Sequence, residues 1–185
     1  MVFDIIKKRR SIFPVQYNTT PIVKDDILKV LEAANWAPTH KKTEPWRFKV
    51  LQGEAKEKLG LFLSYKYLDT ETNPKEFKAK KLIENPTRAG AIIVICMQRD
   101  LKESLPEWEE IAAVAMAVQN MWLCCTEMGI GAYWSSPGLI KYMDEFFDMN
   151  AGEVCLGFFY MGNYDNETEI PAVTRTSIAD KTVWL

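Results

Sequence analysis

At 185 residues the chain has the length of one domain, and no linker, internal repeat or low-complexity tract divides it, so residues 1–185 read as a single unit. Its 23 Lys and Arg against 25 Asp and Glu leave a formal net charge of −2, which lacks the basic excess that nucleic-acid binding usually shows and speaks against that partner. The four cysteines, Cys96, Cys124, Cys125 and Cys155, lie in apolar stretches without a CxxC pair, which speaks against a disulfide framework or zinc site and for buried, reduced thiols.

Six Trp, nine Phe and eight Met supply a substantial core, with material left for an oligomer interface or a cofactor pocket. No signal-peptide core follows the first residues. The longest apolar stretch, 111–126, is shorter than a membrane span and contains Gln119 and Asn120. The expected location is the cytoplasm, with no membrane partner.

In chain order, residues 3–10 predict a short helix with apolar positions 3, 5 and 6 followed by four cations. Residues 24–36 predict a better one: Ile27, Leu28, Val30, Leu31 and Ala34 recur at helical spacing, and Asp25 and Asp26 sit where the helix dipole favours acids. Pro38 ends it. A strand is expected at 47–51 and a helix at 54–65. The polar stretch 69–85, holding Pro74 and followed by Pro86, reads as a partly helical surface excursion.

Residues 91–97 (AIIVICM) predict a buried central strand. Residues 107–128 predict a long helix, apolar on nearly every side after Glu110. In so small a domain, that is most easily arranged if part of it packs against another subunit. A short strand at 132–135, a short amphipathic helix at 139–147 and a buried strand at 154–161 follow, then a polar tail. Helices alternate with strands that lack hairpin turns, which implies a layered α+β or α/β domain around one sheet.

Three constellations could carry chemistry. Lys7, Lys8, Arg9 and Arg10 close on Ser11, and two guanidiniums with a hydroxyl can hold a phosphate; cations at a helix C-terminus also simply complement its dipole. His40, the one histidine, lies in a loop between Pro38 and Pro45-Trp46, where it could face a ligand or solvent. In the loop 132–138, Ser135, Ser136 and the Gly138 amide could cap a helix or bond a planar polar ring. Glu109-Glu110 and Asp144-Glu145 read as solvated helix faces. No GxGxxG after a strand, Walker loop or GxSxG elbow is present.

Taken together, Arg9-Arg10-Ser11, the segment 37–48 (APTHKKTEPWRF), the long apolar helix, the segment Gly131 to Ser136 and the strand 157–162 (GFFYMG) resemble the nitroreductase family in its short branch. The resemblance spans residues 3–163. It implies an α+β, three-layer domain with a central mixed sheet flanked by helices, forming a homodimer with FMN at the subunit interface. It assigns Arg9, Arg10 and Ser11 to the phosphate and ribityl end, with Arg175 as a further phosphate ligand. It places Trp134, Ser135 and Ser136 along the isoalloxazine, and His40 with Trp36 beside the FMN of the other subunit. The implied activity carries hydride from NADH or NADPH through the flavin to nitroaromatics, quinones or similar planar oxidants. FMN storage or sensing, and dehalogenation or flavin processing, are the alternatives. Glu44 stands where relatives carry glutamine, Ser135 where they often carry a basic residue, and the usual asparagine of the 37–48 segment is missing.

Overall fold

Residues 91–98 carry seven consecutive buried side chains, as expected of a β-branched run covered on both faces. This strand is the second of four; the computed structural model describes residues 1–165 and 173–185. The strands are β1 (Trp46–Leu51), β2 (Ala91–Gln98), β3 (Gly131–Ser135) and β4 (Glu153–Gly162), ordered β1-β2-β4-β3. Every neighbouring pair is antiparallel, so the expected mixed sheet is corrected to an antiparallel one among the described residues. The reason lies in the connections. Two helices, α3 (Glu54–Thr70) and α4 (Glu76–Arg88), pack together between β1 and β2 and bring the chain back to the end of the sheet where β1 finished, Leu51 pairing with Ile92. The single helix α5 (Glu107–Glu127) does lead to a strand pointing the same way, but β4 fills the place between β2 and β3.

Helices cover both faces, giving three layers and an α+β fold. On one face α2 (Lys24–Asn35) and α5 pack Val30, Ala34, Val114, Ala117, Val118 and Met121 against Ile93, Ile95, Met97, Phe159 and Met161. On the other, Leu59 and Leu63 of α3 and Met143 of the 3-10 segment Gly138–Glu145 cover Ile92, Val94, Phe158 and Tyr160. The expected amphipathic helix near residue 139 is thus wound as 3-10 turns. α1 (Val2–Lys8) buries none of its side chains, and Phe3 and Ile6 remain exposed.

The excursion expected at 69–85 resolves into the end of α3, a short turn and the whole of α4, which carries Pro86 in its interior. A proline there removes one backbone bond, but it is buried against the domain and the helix continues to Arg88. Glu110 also departs from expectation. It is fully buried, its carboxylate paired with Arg99 and accepting the Asp100 amide at 2.9 Å. No described helix is long and apolar enough to cross a membrane.

β4 contains one extra residue. The register shifts between Ile95 and Cys96, so Cys155, Phe158 and Tyr160 share a face, with Gly157 at the irregularity. At φ +144° a side chain is disfavoured there, and a Cβ would come within 2.4 Å of Trp134 Nε1 and 2.6 Å of the Ser135 carbonyl. The bulge therefore sets how β3 leaves the sheet.

Candidate functional site

α1 ends when Arg9, after donating its amide to Ile5 at 2.9 Å, turns to extended backbone. The chain then runs beside β3, with the Ile12 amide donating to Ala132 at 3.0 Å. Ile12 is buried, and this pins Ser11 and Phe13 on either side of it. The Arg9 guanidinium lies over the Trp122 ring of α5 at 4.5 Å, and the Trp122 indole donates to the Arg10 carbonyl at 3.1 Å. Arg10 curls back, its Nη1 donating to the carbonyls of Lys7 at 2.6 Å and Arg9 at 2.9 Å. Burial lowers the Arg9 pKa from its ordinary value, and the charges of Arg10 and Arg175 lower it further. None of these three arginines forms an ion pair among the described residues, so their combined field is open to an anion.

At the other end of β3, Trp134 points into the α2/α5 layer and its indole donates to the Leu156 carbonyl at 3.3 Å. Ser135 is half-buried and Ser136 exposed. Pro137 occupies the cap of the following 3-10 segment, and no side chain caps it, so capping is not what the serines do here. Tyr133 projects to the opposite face, 4.7 Å from the Phe13 ring and stacked at 6.1 Å on Tyr160.

Two clefts open on that face. One, of about 520 Å³, is lined by Tyr133, Ser135, Pro137 and Gly138 together with Lys78, Lys81, Asn85, Lys141 and Tyr142 among others. The second, of about 640 Å³, is lined by Phe13, Pro14 and Val15 together with Phe77, Lys81, Asn85, Arg88 and Tyr133 among others. Lys81, Asn85 and Tyr133 line both, so a trough runs from the Phe13–Val15 segment, which follows Ser11 in the chain, to the Ser135–Gly138 loop; Arg9, Arg10 and Ser11 do not line it. It offers flat aromatic surface (Phe13, Tyr133), amide and hydroxyl groups (Asn85, Ser135) and cations (Lys81, Arg88). The sequence reading missed Lys81, Asn85, Arg88 and Tyr133. Positions 81, 85 and 88 follow the i, i+4, i+7 rule for one helix face, a signal hidden once the prolines had marked the stretch as irregular.

His40 and Trp36 lie elsewhere. His40 begins a 3-10 turn, His40–Lys42, beside the start of α5, with its Nδ1 2.6 Å from Glu109 Oε2. The loop is tightly kinked. Lys41, Lys42 and Glu44 adopt φ of 50°, 57° and 42°, held by the Glu44 amide donating to Thr39 Oγ1 at 3.2 Å and Lys41 Nζ donating to the Ser104 carbonyl at 2.8 Å. Trp36 is 79% exposed and donates its indole N–H to Glu32 at 2.8 Å. Glu109 and Trp122, the contacts of His40 and Arg9, are separated on α5 by a rise of about 20 Å. One chain therefore does not bring His40 to the Arg9–Ser11 segment, and the side-chain bond of Trp36 goes to Glu32 of its own helix.

Residues 6–163 match the model of the nitroreductase family. The chain is 29% identical over 182 residues to "Putative NAD(P)H nitroreductase YfhC" of Bacillus subtilis, covering 96% of this chain and 91% of that one. Its fold superposes on the crystal structure of a nitroreductase-like family protein from Bacillus cereus with a TM-score of 0.85 at 28% identity, covering 100% and 96% of the two chains. It also superposes on a nitroreductase with bound FMN from Bacteroides fragilis, with a TM-score of 0.70 at 21% identity and 95% coverage of each chain. With the matched segment taking in every described strand and both ends of the trough, the chain belongs to the nitroreductase family.

Proposed function

We propose that the trough holds FMN and that the protein is a flavin-dependent oxidoreductase, drawing hydride from NADH or NADPH and passing it to planar acceptors such as nitroaromatics or quinones. The observation that carries this reading is the charge of Arg9, Arg10 and Arg175, unpaired among the described residues, at a segment that continues through Phe13 into a trough lined by aromatic rings and the Ser135 hydroxyl. That donor set suits a ligand with a phosphate at one end and a flat, polar-edged ring at the other. The FMN named in the B. fragilis structure supports the choice.

In this reading Arg9, Arg10 and Ser11 take the phosphate and ribityl end, with Arg175 adding charge to the same field. Phe13 and Tyr133 supply apolar contact to the ring, while Asn85, Ser135 and the Gly138 amide are free to bond its polar edge. Lys81 and Arg88 place positive charge along the trough, where it stabilises an anionic ring edge. Bound FMN supplies the acceptance and return of hydride; the chain supplies position, charge and shelter from water. No side-chain nucleophile is needed.

The functional unit is a homodimer. Trp108, Ile111 and Met116 are exposed on α5, and Phe3 and Ile6 on α1, leaving apolar surface that a second copy would cover. The roughly 20 Å along α5 between the contacts of Arg9 and His40 then becomes the offset by which a partner's His40 and Trp36 reach this chain's FMN.

The test is the visible spectrum of the purified protein followed by anaerobic titration with NADH and NADPH. A yellow protein bleached by either nicotinamide is the expected result. A flavoprotein bleached by neither overturns the reductase and leaves a binding protein. A colourless protein that takes up no added FMN overturns the cofactor.

A further inference from the structure

The trough leaves a second reactive cluster unused, at the bulge between β2 and β4. Cys96 of β2 and Cys155 of β4 are direct cross-strand partners on the same face of the sheet, at the register shift. Directly opposed residues of an antiparallel pair lie about 4.5–5.5 Å apart at Cα. Disulfides span about 4.4–6.8 Å at Cα, a range that includes the spacing of directly opposed strand residues. Both thiols are free.

The surroundings are charged, unlike those of an inert core cysteine. Lys49 of β1 reaches across to Glu153 of β4, pairing at 2.5 Å, and the second Glu153 oxygen accepts from the Asn150 amide at 3.1 Å and side chain at 3.0 Å. The adjoining Cys96 thiol holds the Cys155 thiol below its ordinary value, helped by Lys49, while Cys155 pushes Cys96 upward. The two cysteines also differ in access: Cys155 is 9% exposed and Cys96 not at all.

We propose that Cys96 and Cys155 form a second redox site of this protein, a dithiol that a small hydroperoxide oxidises to a cross-strand disulfide. Cys155, the more accessible sulfur and the one more readily ionised, attacks first as thiolate. Its sulfur bonds to the terminal oxygen of the hydroperoxide, the O–O bond breaks, and the departing alkoxide takes a proton to leave as alcohol. Cys96 then attacks the resulting sulfenic acid. The S–S bond forms, and the sulfenic oxygen departs as water with the Cys96 proton. In balance, two thiols and one hydroperoxide give one disulfide, one alcohol and one water; the sulfurs lose two electrons and the peroxide gains them. Lys49 favours the attacking thiolate by charge.

Native protein treated with stoichiometric hydrogen peroxide, blocked with an alkylating agent and digested with trypsin without reduction tests this. The expected product is peptide 89–99 joined to peptide 142–175, released by dithiothreitol. A Lys49→Met variant should form the link more slowly, on the order of tenfold, if the ammonium activates the thiolate. Recovery of Cys96 and Cys155 as separate alkylated thiols overturns the proposal, as does a link through peptide 103–141, which carries Cys124 and Cys125. Because the readout is a covalent bond in the unaltered chain, it is independent of FMN binding and of substrate turnover.

Discussion

Trp122 fixes both arginines of the proposed phosphate site at once: its ring lies 4.5 Å beneath the Arg9 guanidinium, and its indole N–H donates to the Arg10 carbonyl at 3.1 Å. A residue of the helix layer thus orients a segment that has left its own helix. Arg10→Ala removes a charge-assisted contact worth about 1.5–3 kcal/mol, so FMN affinity should fall roughly 10- to 150-fold. Trp122→Phe keeps the ring and loses only the indole bond, about 1 kcal/mol, for roughly fivefold weaker binding. Titration by quenching of free FMN fluorescence measures both. Equal losses in the two variants would show that the arginine acts only through the segment's shape.

Gly157 joins the fold to the site. Gly157→Ala would put a methyl group against Trp134 Nε1 and the Ser135 carbonyl, at a φ of +144° that favours glycine. The overlap should lower stability by about 1–3 kcal/mol and reduce FMN content by displacing the loop. Thermal melting together with the ratio of flavin to protein absorbance checks it. A lower melting temperature with full flavin content would separate the bulge from the site.

Arg99 offers a test of the core. Its partner Glu110 is fully buried, so Arg99→Met leaves a carboxylate without its cation and should cost about 3–5 kcal/mol in chemical denaturation. Glu110→Gln keeps an acceptor for the Asp100 amide and should cost less. The reverse order would mean that the ion pair is not what Arg99 contributes.

These residues also show what could be read from sequence. The strand AIIVICM and the periodic helix 24–35 were legible because burial and period leave a mark on residue order. The paired acids Glu109-Glu110 looked alike. One contacts a loop histidine and the other is sealed by an arginine eleven positions upstream, a distinction made by tertiary contact alone. α4 was obscured by Pro86, and with it the trough cations Lys81 and Arg88. The antiparallel sheet was illegible for a related reason: a second full helix between β1 and β2 sets the sense of their pairing, and the sequence of 69–85 reads only as a partly helical excursion. Arg9, Arg10, Ser11 and Ser135 stand out in the sequence only through the order and spacing of motifs that resemble the family, whereas Tyr133 passes for an ordinary strand aromatic.

Glu153 gives a pH dependence with a defined sign. Burial pushes its pKa up, but the hydrogen bonds from Lys49 and Asn150 outweigh this and hold it below the ordinary 4.5. A depressed folded pKa means stability that is present above the unfolded value and lost as pH falls through the folded one. Glu153→Gln should therefore be less stable than the native chain at neutral pH, with the gap closing below about pH 4. Urea midpoints across that range measure it. A constant gap would place the effect in packing instead of charge.

The shared site is the most demanding expectation, because it concerns two chains. His40 contacts Glu109 near the start of α5, while Arg9 stacks on Trp122 near its end, about 20 Å away. If the α5 helices of two copies cross in a dimer, each FMN takes Arg10 from one chain and His40 from the other. Each homodimer of His40→Ala or Arg10→Ala then has two defective sites. A mixed dimer concentrates both defects in one site and leaves the other intact. Mixing the two variants under exchange conditions should restore up to half of native FMN binding at a limiting flavin concentration, well above either parent. If both residues acted within one chain, every site of the mixed dimer would carry one defect and no gain would appear. Binding stoichiometry by calorimetry on tagged, purified heterodimers distinguishes the two arrangements without reference to the physiological acceptor.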